Sequence, residues 1–147
     1  MKRLFLVCTC VMAWLVFPTV AAIAQDSGPI LTFKAPAAFW AGNAKMPAGS
    51  YRVTQGAAGQ NGVLILQNAA GTHEAFVDVT PVSSPGSHKP GEVVFDKVGS
   101  MDFLSALYAP GSNASPAGYQ VIESSQEKYA EKSASKTQHS IQGTKPK

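Results

Sequence analysis

The chain between residues 30 and 124 consists of short apolar runs that are separated by Gly, Pro, Asn and Ser. Apolar and polar residues alternate within several runs, as in residues 51–54, 77–80 and 119–121. A period of two places one set of side chains on a core face and the other in water. No segment in this range has the 3.6-residue apolar period of a helix. The pattern therefore predicts an all-β domain that is built from hairpins.

The apolar runs also predict the number of strands. Residues 63–66 are apolar at every position, which is typical of a central strand that is covered on both faces. A chain of about seven or eight such strands forms a single antiparallel β-barrel or a β-sandwich, and the alternation is compatible with both. The predicted strands lie near residues 30–35, 38–44, 50–55, 62–68, 73–80, 92–98, 102–109 and 119–124.

One turn pattern recurs between these strands. Pro47 and Gly49 precede one predicted strand, and Pro116 and Gly118 precede another with the same spacing. Gly71 closes a similar turn that lacks proline. Proline presets φ at the second position of a type I turn, and glycine at the fourth takes a positive φ at little cost. We therefore interpret these residues as structural hairpin turns and not as binding loops.

The first residues have the features of a signal peptide. Lys2 and Arg3 precede an apolar run, and an Ala-Ile-Ala cleavage pattern ends at Ala24. A membrane anchor is the alternative, but the run is shorter than the ~20 residues of a span and lacks charges on its far side. Residues 1–24 are therefore expected to enter the membrane only transiently, and the protein to be periplasmic or extracellular. Both cysteines, Cys8 and Cys10, leave with this segment, which excludes disulfides and thiol chemistry.

The remaining chain divides into a β domain, residues 25–125, and a lysine-rich tail, residues 126–147. The tail has five lysines and two glutamates, whereas the β domain has five basic and seven acidic residues. Ser124 and Glu127 have the spacing of a capping box, but little apolar surface follows them. We therefore predict a weakly helical to disordered tail that touches anionic envelope surfaces. No basic patch interleaves with aromatics, so nucleic-acid binding is not expected.

The residues that commonly carry catalysis or bind metals do not converge. His73, Glu74 and Asp78 are close in sequence, but on a strand His73 faces away from the two carboxylates. No serine lies in a nucleophile elbow. We therefore expect no enzyme, no bound metal and no cofactor. The alternative is a hydrolase of wall or sugar substrates, which requires carboxylates to pair in a cleft as acid and base. The candidates for such a pair are Asp78, Asp96, Asp102 and Glu123.

Two aromatic residues are candidates for contact with a ligand or partner, Trp40 and Tyr108. Most aromatic side chains of a domain this small are needed in its core. Phe39 and Trp40 are adjacent, so on a strand one faces inward and the other outward. An outward Trp40 either stacks on a sugar ring or partner, or covers one end of a barrel.

A series of short motifs carries a resemblance. The series begins with Phe33-x-x-Pro36-x-x-Phe39 and Pro47-Ala48-Gly49-x-Tyr51-x-Val53. It continues with Val94-Phe95-Asp96-Lys97-x-Gly99, Phe103-Leu104-Ser105 and Ser124-x-x-Glu127. In this order, over residues 33–127, the series resembles a group of small exported β-domain proteins common in acidobacterial-type genomes. The resemblance implies a fold and an exported location and no activity. The motif at residues 47–53 is also similar to the closing strand of immunoglobulin-like and carboxypeptidase-regulatory-like domains.

The function expected from the sequence is that of a non-catalytic exported module. Its partner is expected to be a ligand or a component of the envelope, and the sequence identifies neither the partner nor an oligomeric state. The hydrolase and an adhesion-type immunoglobulin-like module are the alternatives.

Overall fold

A computed structural model describes residues 28–56, 62–83, 89–110 and 118–146. The predicted signal helix and Pro116 lie outside these residues. The described part is all-β, as predicted, with one short helix. Its strands are β1 Leu31–Ala35, β2 Phe39–Ala41, β3 Ala44–Met46, β4 Gly49–Gln55, β5 Val63–Asn68, β6 Glu74–Val82, β7 Glu92–Val98, β8 Met101–Tyr108, β9 Gly118–Val121 and β10 Lys136–Gln142, and helix α1 spans Ser125–Glu131.

The strands form one continuous sheet. Strands β1, β4, β5, β6, β9 and β8 lie side by side in that order; β8 also pairs with β7, and β7 with β10. Strand β2 joins β3 to β8, and the β2–β8 pairing at Trp40 and Phe103 is parallel, where a wholly antiparallel array was predicted. The described sheet is not a closed barrel. An isolated bridge between Thr32 and Thr144, with backbone N–H···O distances of 3.0 and 2.7 Å, connects β1 with the residues after β10.

The centre of the domain is occupied by aromatic side chains. Phe33, Phe39, Tyr51 and Phe95 are each at most 4 % exposed. Neighbouring rings have centroids 5.2 to 6.3 Å apart, in edge-to-face, tilted and stacked arrangements. These distances are typical of favourable aromatic contacts. The core is therefore filled by side chains that the alternating pattern directs inward.

The outer face of β5 and β6 is less buried than predicted. Leu64 and Leu66 are fully buried, whereas Val63 and Ile65 are only partly buried. Phe76, which pairs with Ile65 on the neighbouring strand, is 64 % exposed. No layer of the described chain covers this face, so the predicted burial of β5 on both faces is wrong. An apolar run alone does not distinguish a strand covered twice from one covered once.

The predicted turns agree with the structure in part. Gly49 has φ +153° and Gly71 has φ +69°, so both take a positive φ. The hydroxyl of Tyr51 donates to the carbonyl of Pro47, which anchors that turn to the core. Gly118 does not have a positive φ. A Cβ there would lie 2.6 Å from the Tyr108 ring, so Gly118 permits close packing and does not provide an unusual backbone conformation.

The tail was predicted to be weakly helical to disordered. Helix α1 confirms the helical part, whereas residues 136–142 form strand β10 and are not disordered. Ser124 caps α1, and its hydroxyl accepts a hydrogen bond from the Glu127 N–H at 3.1 Å. Strand β10 then pairs with β7 along its whole length, from Lys136 opposite Val98 to Gln142 opposite Glu92. The side chains of β10 are almost all exposed. This strand is added through backbone hydrogen bonds, which leave no alternating apolar signal in the sequence.

Candidate functional site

Four carboxylates converge on one lysine at the junction of α1, β7 and β10. The Lys136 Nζ lies 2.9 Å from Asp96 Oδ2, 3.1 Å from Glu123 Oε1, 3.0 Å from Glu127 Oε1 and 2.8 Å from Glu131 Oε1. We call these five residues the Lys136 cluster. Glu127 and Glu131 are four residues apart on one face of α1, and Glu123 comes just before the N-cap residue Ser124. Lys136 reaches them because β10 begins directly after α1.

Burial is uneven in the Lys136 cluster. The side chains of Asp96 and Glu127 are 7 and 4 % exposed, against 47 % for Glu123. Burial acts to raise the pKa of Asp96, but hydrogen bonds from Lys136, Gln138 and Ser105 outweigh it and hold that pKa below its usual value. Burial raises the pKa of Glu127, and Lys136 offsets that effect only in part.

The pKa of the Lys136 ammonium is raised, although burial alone would lower it. The hydrogen bonds that the ammonium donates to the surrounding carboxylates outweigh the effect of burial and raise that pKa. The lysine is therefore charged throughout the physiological range, and its charge is shared among four acids. Carboxyl oxygens of Glu123, Glu127 and Glu131 lie within 4.8 Å of one another, a spacing that suits a metal ion. The cation that contacts all three here is Lys136.

A second charged region lies on the outer face of β1 and β4. A groove of about 340 Å³ runs there beside the residues that end and follow β10. Its side walls include Phe33 and Tyr51, whose rings point into the core. We call it the β1–β4 groove, and its polar lining consists of Thr32, Lys34, Ser50, Arg52, Gln142 and Thr144.

The cations of the β1–β4 groove lack counter-charges. Lys34 and Arg52 are exposed, and neither forms an ion pair or a side-chain hydrogen bond within the described chain. Lys34 pairs with Ser50 across the strands, and Arg52 pairs with Thr32. The two cations are therefore diagonal neighbours on the same face of the sheet.

The residues considered as candidates for catalysis or metal binding are only partly brought together. The His73 Nδ1 lies beside Asn68 and Thr72, at 3.3 and 3.1 Å, in the turn before β6. Glu74 and Asp78 are exposed on β6. Within the described chain, His73, Glu74 and Asp78 form no hydrogen bond or ion pair with one another. Of the four candidate carboxylates, Asp96 and Glu123 do meet, with the ammonium of Lys136 between them. Asp102 lies apart, 3.9 Å from both Lys97 Nζ and His139 Nε2.

The two aromatic candidates lie outside the groove. Trp40 is partly buried and stacks on Phe103, with ring centroids 6.4 Å apart, above Val98 and Ala130. It therefore covers an apolar cluster beneath α1. Tyr108 is 5 % exposed, and burial together with the charge of Glu92 raises the pKa of its hydroxyl. Little of Tyr108 is accessible to a partner in this conformation.

The β1–β4 groove was not predicted from the sequence, although the alternation of residues 51–54 indicated that Arg52 faces solvent. The proximity of Arg52 to Lys34 depends on the register of β1 against β4, and its proximity to Thr144 depends on β10. Neither register is encoded in the local hydrophobic pattern.

The fold defines the class of protein as an all-β domain with a single continuous sheet. A scan against protein-family models and searches of curated proteins and of solved structures each found no match to the chain. In the residues that the structure describes, no helix has the length and apolar character needed to cross a membrane.

Proposed function

We propose that the protein is an exported, non-catalytic β domain that binds a ligand or an envelope component in the β1–β4 groove. The observation that carries this proposal is the pair Lys34 and Arg52, two exposed cations in a groove without a described counter-charge. Unpaired charges of like sign at neighbouring positions do not stabilise a fold. The signal-like residues 1–24 and the motif series support export.

The interior is a less suitable site than the surface. A depression that reaches Phe39 and Phe95 has a volume of about 10 Å³, about the minimum that one water molecule needs. Four aromatic rings occupy the remaining centre of the domain. Carriage of a small molecule inside the sheet is therefore not supported, and binding at the outer face is favoured.

The alternatives receive less support from the geometry. A hydrolase needs a carboxyl group that is free to exchange a proton with substrate. Asp96 and Glu123 instead share the ammonium of Lys136, and the hydrogen bonds to Asp96 favour its charged form. An adhesion-type sandwich has two separate sheets, whereas these strands form one. We therefore favour a binding module over both.

Native mass spectrometry of protein purified from its own host tests the proposal. A Ser50→Trp substitution fills the groove from an exposed position on β4, and Ser100→Trp places the same side chain on the exposed turn between β7 and β8. We expect a co-purifying ligand in the wild type and in Ser100→Trp, and its loss in Ser50→Trp. Equal ligand content in both variants, or no ligand in the wild type, contradicts the proposal.

A further inference from the structure

We infer that the β1–β4 groove binds an acidic polysaccharide, whose acid groups lie between Lys34 and Arg52. This inference rests on the proposed function, because it names the ligand class of the same site. It is carried by the charge of the groove, the chemistry of its lining and its extension towards Lys145.

The two neighbouring cations of the β1–β4 groove favour the binding of an anion. Diagonal neighbours on adjacent strands have side chains about 7–8 Å apart, so the charges of Lys34 and Arg52 repel each other. The acid in the same cross-strand row is Glu74, which is separated from Arg52 by Gln67 of β5. Arg52 and Glu74 form no ion pair within the described chain. An oxyanion between the two cations removes the repulsion, and the guanidinium fork of arginine matches a carboxylate or phosphate.

The lining of the groove suits sugar hydroxyls. Thr32 and Thr144 approach each other with their hydroxyl oxygens 3.0 Å apart, and each oxygen keeps a lone pair that can accept another hydrogen bond. Ser50 and Gln142 add a hydroxyl and an amide to the same surface. The volume of about 340 Å³ lies at the small end of the range for ligand pockets, about 300–1,000 Å³. It therefore fits a short stretch of a longer chain.

The groove continues beyond Arg52, which favours a polymer over a free ion. A neighbouring open depression shares Thr32, Arg52 and Thr144 with it and adds Lys145. Lys145 is exposed and has no ion pair in the part of the chain that is described. Lys34 and Lys145 therefore lie in two adjoining depressions that have Arg52 in common. A polymer with an acid on successive sugars places one anion near each cation.

Other anionic macromolecules fit the surface less well. Single-stranded nucleic acids stack their bases on exposed aromatic rings, but the rings next to the groove, Phe33 and Tyr51, are 4 and 2 % exposed. Membrane surfaces are bound with the help of apolar side chains beside the cations. The exposed Phe76 lies on β6, separated from β1 by two strands.

Isothermal titration calorimetry with defined polysaccharides tests this inference. The ligands are polygalacturonate, which carries carboxylates, and phosphorylated dextran, with unmodified dextran as the neutral control. The wild type is compared with Lys34→Gln/Arg52→Gln and with a matched variant, Lys128→Gln/Lys132→Gln, which removes two exposed charges from α1 and its end. We expect the wild type and the matched variant to bind an acidic polymer, and the groove variant to bind it about tenfold more weakly or worse.

The possible outcomes distinguish a wrong ligand class from a wrong binding site. Binding of unmodified dextran that Ser50→Trp abolishes overturns the ligand class and leaves the groove as the binding site. Equal weakening by the groove variant and the matched variant overturns the inference, because it shows a response to net charge alone. Absence of binding to both acidic polymers, or stronger binding to phosphatidylglycerol vesicles than to either, also overturns it. Loss of polymer binding in Arg52→Gln, with partial recovery in Arg52→Lys, supports the bidentate role of the guanidinium.

Discussion

The Lys136 cluster and the β1–β4 groove place cations in opposite surroundings. Lys136 contacts four carboxylates within 3.1 Å, whereas Lys34 and Arg52 have no counter-charge within the described chain. The first arrangement uses its cation to hold α1, β7 and β10 together. The second leaves its cations free for a molecule from outside. The difference separates a charge that stabilises the fold from charges that are available for recognition.

The two regions nevertheless depend on the same segment. Lys136 begins β10, and Thr144, just beyond its end, bridges to β1 and lines the groove. The segment predicted to be a weakly helical to disordered tail therefore contributes to both charged regions. Its attachment to β7 fixes the Lys136 cluster at one end and the groove at the other.

The largest effect is expected from removal of the shared cation. Lys136→Met leaves four carboxylates together, two of them almost fully buried. Breaking a buried ion pair costs about 3–5 kcal/mol. Because a third of the Lys136 side chain is exposed, we expect the lower end, about 3 kcal/mol, in urea unfolding at pH 7. Lys132→Met, which changes an exposed lysine just after α1, is the control, with an expected change of less than about 0.5 kcal/mol. Equal losses of stability in Lys136→Met and Lys132→Met would show that the Lys136 cluster does not stabilise the fold.

The two buried acids of the Lys136 cluster are expected to respond to pH with opposite signs. The pKa of Asp96 is lowered in the folded state, so its contribution to stability is present above its unfolded pKa and is lost as the pH falls below about 3.9. The pKa of Glu127 is raised, so its contribution is present at low pH and is lost as the pH rises above about 4.3. These signs follow from the burial and hydrogen bonds of each carboxyl group.

Urea unfolding between pH 3 and pH 7 measures both signs. The stability of the wild type relative to Asp96→Asn should fall as the pH falls, and its stability relative to Glu127→Gln should fall as the pH rises. Parallel pH profiles for the two variants would show that the acids are equivalent, contrary to the account.

The sequence gives most of the fold and little of either charged region. The strands facing the core were predicted because each buries alternate side chains, and one predicted strand, 38–44, divides into β2 and β3. Strand β10 was missed because its side chains are mostly exposed. The capping box of Ser124 and Glu127 was visible, but the Glu127 side chain contacts Lys136, which only the pairing of β10 with β7 places nearby. Contacts between distant strands depend on register, which local patterns do not encode.

A smaller effect is expected at the turn that leads into the groove. Gly49 begins β4 at φ +153°, with no atom near its missing Cβ, so Gly49→Ala should cost about 1 kcal/mol through backbone conformation alone. The charges of Arg52 and Lys34 remain, so binding to the acidic polymer should persist. Thermal unfolding and calorimetry of the same sample measure both. A variant of unchanged stability that no longer binds would make this turn part of the site.

The smallest effect on stability is expected from the groove cations themselves. Lys34→Gln/Arg52→Gln removes two exposed charges that repel each other and have no described acid partner. We expect a change of less than about 0.5 kcal/mol in the free energy of unfolding, in contrast to Lys136→Met. A loss of 2 kcal/mol or more, on the scale of a buried ion pair, would show that these cations stabilise the fold.

Thermal unfolding with and without polygalacturonate tests the contrast between the two regions most directly. A ligand that binds only the folded state raises the melting temperature. Without ligand, we expect equal melting temperatures for the wild type, Lys34→Gln/Arg52→Gln and Lys128→Gln/Lys132→Gln. With ligand, we expect the melting temperature to rise in the first and third only. An increase of equal size in all three proteins would contradict the assignment of the groove cations to recognition.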